Sequence, residues 1–368
     1  GGLLKVLNSI FGMMNSPILL AAAERSPGVI VGPIAKLMGI IFNWVFNFIY
    51  SFTETGSLVL GIIVFTLLVK LVLFPLSYKQ VKGTYKMQKL QPELNKIKAK
   101  YANKTDEESQ RRMAFEIQEF QRENGASMLA GCLPMIIQLP ILYALFYIFQ
   151  QPYNYVEVIN NVYTSIANAI LGIDVAQRVE VFKPIILSKN MTMDLAVFSD
   201  VFNLVKHMGA TDWNTALSTL GTSGTELASL IAQKHSIEYF FGLNLVTTAG
   251  LGFPGILVPI CAGLSTFLSS KYMMSKQQNT TGTGDEADMA AGMTKSMNVV
   301  MPIMMGVITI NTPVALGIYW TLSNLFSIFQ TWTVYKVLGA KDEKGELDLE
   351  SKSDKKAKIA DKNKKGAK

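Results

Sequence analysis

The sequence predicts an all-α integral membrane protein: a five-transmembrane-helix core with a cytoplasmic helical hairpin and an outer interfacial helix. Three observations predict it. Of the 368 residues, 49% are hydrophobic and only 17% charged, and the mean hydropathy is positive, a balance too apolar for an ordinary soluble domain. Five windows are apolar enough to read as membrane crossings: 56–76, 127–149, 253–270, 297–310 and 313–334. The charges fall in blocks between those windows, not along them.

Taken in order, residues 1–55 form an N-terminal segment. Gly1 is not an initiator residue, and Ile18, Leu19, Leu20, Ala21, Ala22 and Ala23 have the small-residue look of a cleavage region. A signal remnant and an interfacial helix are both open for this stretch. Residues 34–52, IAKLMGIIFNWVFNFIYSF, carry polar and aromatic breaks that suit a helix lying at the outer interface, with a full span as the competing reading.

The first span contains one ionisable residue, Lys70. After it the pattern turns amphipathic. Met87, Leu90, Leu94, Ile97 and Tyr101 recur at helical spacing as one narrow stripe. Thr105 with Glu108 reads as a capping box for a second helix, whose apolar face is Met113, Ile117 and Phe120 and which Gly125 can close. Residues 81–125 are therefore expected to fold as an antiparallel hairpin, with Pro92 at an early turn or a kink.

The second and third spans enclose a loop, 153–250, in which Leu195, Phe198, Phe202 and Val205, and again Leu227, Leu230 and Ile231, follow helical spacing and suggest a small helical cap. The loop 271–296 is rich in Gly, Thr and Asn and reads as flexible. The fourth span is short and is expected to begin a turn or two earlier, among Met289, Met293, Met297, Met301, Met304 and Met305, where ordinary packing is the simplest role for the methionines. An Asn311-Thr312 turn leads into the fifth. Residues 338–368 read as a disordered basic tail; from Asp354 onward it holds 7 Lys against 2 Asp.

Charge sets the orientation. Residues 76–126 carry 11 Lys and Arg against 7 Asp and Glu, net +4, and the stretch from 336 repeats those numbers. Residues 153–250 carry 5 against 8, net −3. The positive-inside rule makes the first two cytoplasmic and the loop external.

Polar side chains inside spans are costly and face a bundle interior or a water-filled cavity. Thr66 and Lys70 share a face of the first span, Gln138 lies within the second, and Trp320, Ser323 and Asn324 share a face of the fifth. Helical rise places all three sets at similar depth. Lys70 lies nine residues before Lys79, roughly 13 Å deep, which is far for simple snorkelling and favours a hydrated cavity. Cys132 and Cys261 are expected to be packed thiols, since their depths separate them. His207 and His235 both fall in the outer loop and read as surface residues. No metal cluster, phosphate loop or nucleophile motif is visible in the spans, so no enzyme chemistry and no cofactor is expected.

Four stretches carry a resemblance: FTLLVKLVLFPLSYKQ (65–80), KMQKLQPEL (86–94), GCLPMIIQLPILYALFY (131–147) and NTPVALGIYWTLSNLFSIFQ (311–330). In this order and spacing the chain resembles the YidC/Oxa/Alb family of membrane protein insertases. The resemblance implies a multi-pass protein of the bacterial inner membrane that inserts, and helps fold, newly made membrane proteins. It implies a hydrophilic groove open to cytoplasm and lipid but closed outside, with the second and fourth spans forming an apolar slide. The groove residues would be Lys70, Thr66, Gln138, Trp320, Ser323 and Asn324, and Met87, Leu90 and Met113 of the hairpin would meet emerging polypeptide unless the hairpin is merely self-packed. The partners implied are nascent membrane proteins and the lipid bilayer, with the ribosome reached through the basic tail and the Sec translocon as further candidates. Two departures stand out. Where the family carries a groove arginine this chain has Lys70, which keeps the charge and loses the bidentate geometry, and the outer loop is longer than the usual link. A small-solute transporter is the alternative, but paired broken helices, its signature, are not seen.

Overall fold

The structure is a computed structural model that describes residues 28–102, 104, 106–124, 133–276 and 299–344. Residues 1–27, for which a signal remnant and an interfacial helix were both open, and Thr105, Gly125, Cys132, the methionines 289, 293 and 297, and the tail beyond 344 lie outside the described residues. The protein is helical almost throughout, and it divides into two units.

The first unit takes in the described residues of Gly1–Phe65, Ile141–Ile256 and Ile310–Leu316. Helix α1, Gly28–Tyr50, is longer than the interfacial stretch read from sequence, and its part Val31–Tyr50 is long and apolar enough to cross a membrane. One stripe of it is buried: Phe42 meets Phe65, on helix α2 (Ser57–Val72), and Phe149 edge-on, with centroids 5.3 and 5.5 Å apart. Phe149 belongs to α5, Leu133–Gln150. The opposite stripe, Leu37, Ile40, Trp44 and Phe48, is apolar and exposed.

Residues 153–250, expected to be an outer loop, hold five α-helices: α6 (Glu157–Gly172), α7 (Val175–Ser188), α8 (Phe198–His207), α9 (Ala210–Leu220) and α10 (Thr225–Glu238). Helix α6 buries Ile159, Val162, Ile166 and Ile170 at helical spacing and packs against α8 and α10. Between them lies a buried polar knot. Glu238, 0% exposed, accepts hydrogen bonds from Tyr163 Oη and Lys234 Nζ, both at 2.6 Å. Burial first, and the Glu238 charge second, hold the Tyr163 hydroxyl well above its ordinary pKa. Two short strands, β1 (Tyr239–Phe240) and β2 (Leu243–Asn244), follow as an antiparallel ribbon that the sequence pattern did not announce.

The second unit takes in the described residues of Thr66–Pro140, Leu257–Thr309 and Gly317–Lys368. The first span, expected to run to residue 76, instead breaks at Leu73, where α2 gives way to α3 (Phe74–Tyr101) at a 59° bend. Pro75 is the reason: lacking an N–H, it fits the first turn of a new helix and not the interior of an old one. Helix α4, Glu107–Glu123, begins after Asp106, whose carboxylate accepts from Ser109 N at 2.8 Å; Asp106, not Thr105, is the cap. Helices α3 and α4 pack together, burying Leu90, Leu94 and Ile97, and Glu116 accepts hydrogen bonds from Lys100 and Tyr101.

Helices α11 (Leu257–Lys276) and α12 (Val299–Ile310) approach at glycines: a Cβ on Gly263 would lie 3.1 Å from Pro302 O, and one on Gly306 3.3 Å from Pro259 O. This is small-residue packing of the kind membrane helices use. Cys261, expected to be packed, is exposed on α11, because it falls on the stripe of Leu257, Ile260 and Leu264 and not on the Ala262 and Ser265 face. Helix α13, Val314–Glu343, runs six residues into the stretch read as tail. Packing holds it: Val334 and Leu338 bury against Val81 and Tyr85, and Asp342 accepts from Lys89 at 2.7 Å and Tyr85 at 3.0 Å. His207 and His235 are exposed, as expected.

Candidate functional site

Beside the apolar α3–α4 contact, part of the second unit buries polar side chains and exposes apolar ones. Ser265, Thr266, Thr309, Ser323, Gln330 and Thr331 are buried, whereas Leu67, Leu71, Ile260, Leu264, Leu325 and Phe329 are exposed. That is the reverse of a water-soluble bundle, where an exposed apolar face of this extent would be a liability.

A cavity of about 110 Å³ opens among α2, α3, α5, α11 and α13, lined by Lys70, Ser77, Gln80, Gln138, Ser327, Gln330 and Thr331 together with Leu73, Leu76, Val81 and Met273. The α2–α3 bend shapes one wall, since Leu73 and Ser77 flank Pro75. Lys70 Nζ donates to Ser327 Oγ at 3.0 Å, and that hydroxyl donates back to Ser323 O at 2.8 Å. Among the described residues no carboxylate pairs with Lys70. Gln138 Nε2 donates to Tyr319 Oη at 3.2 Å. Gln330 Nε2 is buried and meets no protein acceptor.

The six residues expected to share one groove divide into two groups. Lys70 and Gln138 line the cavity. Trp320 and Asn324 turn to α11 instead: Trp320 Nε1 donates to Thr266 Oγ1 at 2.7 Å, and Asn324 Nδ2 donates to the same oxygen at 3.0 Å and to Ser265 Oγ at 3.2 Å. Thr66 and Ser323 are buried. The bonds of Trp320 and Asn324 to Ser265 and Thr266 fix α13 against α11. Of the three hairpin residues, Met87 and Met113 are half-buried, while Leu90, 2% exposed, is inside the α3–α4 contact.

Sequence reading missed Ser327, Gln330 and Thr331. The signal was present: they continue the Ser323 face of α13 at intervals of four, seven and eight.

The family described as 60Kd inner membrane protein matches residues 48–341. The chain belongs to that family. Among curated relatives it is similar to "Membrane protein insertase YidC 1" of Lactococcus lactis, 27% identical over 344 residues, 92% of each chain. It is also similar to "Membrane protein insertase YidC" of Oceanobacillus iheyensis, 28% identical over 338 residues, 90% of this chain and 98% of the relative. "Membrane protein insertase YidC" of Clostridium perfringens is 27% identical over 310 residues, 83% of this chain and 91% of that one. In this member of the 60Kd inner membrane protein family, every cavity-lining residue falls within the matched region. So do helices α6–α10.

Proposed function

We propose that the chain is a membrane protein insertase and chaperone that moves short polar or acidic segments of new membrane proteins across the bilayer. The observation that carries this reading is Lys70: a cation without a carboxylate partner among the described residues, on the wall of a polar cavity, between helices whose outer faces are apolar. A polar path shortens the low-dielectric stretch a hydrophilic segment must cross, and the apolar faces give its spans a route into lipid.

The arrangement proposed is five spans built on α2, α5, α11, α12 and α13, with α1 lying at the outer interface. The block +4, −3, +4 of the connecting segments supports a cytoplasmic position for α3, α4 and the C-terminal tail and an external one for α6–α10. The bend after α2 suits this, because α3 carries seven lysines beyond residue 78 and is a helix for water or headgroups. Met87 and Met113 are the hairpin positions offered for substrate contact; Leu90 supports them from inside. Gln330 Nε2 supplies a donor that a substrate carbonyl or a water can fill. The basic tail favours ribosomal RNA through counterion release, and the Sec translocon is proposed on family grounds alone.

Reconstitution into liposomes with a single-span substrate tests the reading. Insertion without nucleotide or solute gradient is expected. Transport of a small solute in the absence of insertion would replace it with the transporter alternative.

A further inference from the structure

Apart from the exposed stripe of α1, the first unit shows an exposed apolar patch at a tight turn. β1 and β2 are joined by Phe241 and Gly242, whose φ angles are both positive, 47° and 75°, as a type I′ turn requires. In water that turn favours Asn-Gly, because a bulky residue is strained at positive φ and an apolar one gains nothing at a loop tip. Here Phe241 is 84% exposed, with Phe240 edge-on to it at 4.5 Å. A second apolar loop adjoins the turn: a Cβ on Gly242 would touch Pro254, and the neighbouring Leu251 and Phe253 are 68% and 84% exposed. Residues 239–256 contain no charged side chain, whereas the loop before them carries all of its net −3.

Main-chain hydrogen bonds set the height of this knuckle. Gly56 N, just before α2, donates to Ser236 O, three residues before β1. At the start of α13, Val314 N and Ala315 N donate to Thr247 O and Leu245 O, and Gly250 N donates to Ile310 O at the end of α12. The knuckle is therefore strapped to the beginnings of α2 and α13 and the end of α12, which the proposed topology makes outer ends of spans. Surface at that level meets the headgroups and upper acyl chains of the outer leaflet, where aromatic side chains are favoured.

We propose that Phe240, Phe241, Leu251 and Phe253 form a lipid anchor that inserts into the outer leaflet and tethers the acidic helices α6–α10 to the membrane surface. The lack of charge makes the contact hydrophobic and independent of salt. The proposal rests on the span topology given above, and the test separates the two. In full-length chain with Cys132→Ser and Cys261→Ser, in zwitterionic liposomes, single cysteines at Phe241, Phe253 and Ile260 carry an environment-sensitive fluorophore. Nitroxide on the upper acyl chain is expected to quench all three and aqueous iodide none, equally at low and high salt. Iodide quenching at 241 and 253 with lipid quenching at 260 overturns the anchor and leaves the spans; iodide quenching at all three overturns both. Protection from both quenchers that disappears on dilution in lipid assigns the surface to a second copy and overturns the lipid contact. In a further variant Phe241→Asn, the turn prefers the new residue, so the melting temperature in detergent is expected to hold or rise while the label at 253 becomes more accessible to iodide. A fall in that melting temperature would give Phe241 a packing role and remove the anchor.

Discussion

Replacing Lys70 separates charge attraction from every other role of the cavity. Among the described residues the cation bonds to the neutral Ser327 hydroxyl and meets no carboxylate, so its charge is available to a substrate. A carboxylate 4 Å away gains on the order of 4 kcal/mol at an effective dielectric of about 20. Desolvation removes much of this, and a hydrogen bond to a charged group nets about 1.5–3 kcal/mol. At roughly 1.4 kcal/mol per factor of ten, that is about 10- to 150-fold. Lys70→Gln is expected to slow insertion of a substrate with an acidic translocated segment by about tenfold or more. A matched neutral substrate should change by less than about twofold, since an amide can still reach Ser327. Lys70→Arg keeps the charge and should preserve both rates; Lys70→Glu adds repulsion and should be worst for the acidic substrate. The assay is protease protection of matched substrates in proteoliposomes at equal insertase abundance. Equal losses for acidic and neutral segments would refute charge attraction, and no loss in any variant would place Lys70 outside the substrate path.

Four further outcomes follow from the packing. Met87→Asp with Met113→Asp is expected to reduce insertion while leaving circular dichroism unchanged, whereas Leu90→Asp, buried between α3 and α4, should unfold that helix pair; unchanged insertion in the double variant leaves only self-packing. Gly306→Leu, where even a Cβ would lie 3.3 Å from Pro259 O and so inside ordinary contact range, should overpack the α11–α12 contact by about 1–3 kcal/mol and lower the melting temperature, with Gly306→Ala milder. Lys234→Met strands the buried Glu238 carboxylate and should cost about 3–5 kcal/mol, read from Trp213 fluorescence on unfolding, while removing both charges together should cost far less. The Lys89 bond holds the Asp342 carboxyl below its ordinary pKa, so its contribution is present at neutral pH and lost as pH falls through that depressed value. Asp342→Asn should therefore cost at most about 1 kcal/mol at pH 7 and nothing in acid, measured by parallel denaturation.

Much of the fold was legible because its signals are local. Apolar windows, the 3–4 spacing of Leu90, Leu94 and Ile97, and the isolated Lys70 each need only a few neighbouring residues to be read. The α2–α3 break was also in plain view as Pro75, yet hydropathy averages over such a residue and ran the span through it. The end of α13 was misplaced because residues 338–343 look like tail by composition; Leu338 and Asp342 are held by partners some 250 positions earlier in the chain.

The sequence by itself determined that this chain is an apolar, helical membrane protein, which connecting segments are basic, and that polar residues recur within its apolar windows. Only the tertiary structure decided how those polar residues are shared. Trp320 and Asn324 are spent on Ser265 and Thr266, leaving Lys70, Gln138, Ser327 and Gln330 on the cavity wall. Helical rise fixes how deep a side chain lies, but the rotation of each helix against its neighbours fixes what it faces. That rotation is set by long-range packing at contacts such as Gly263 and Gly306, which no single window of sequence contains.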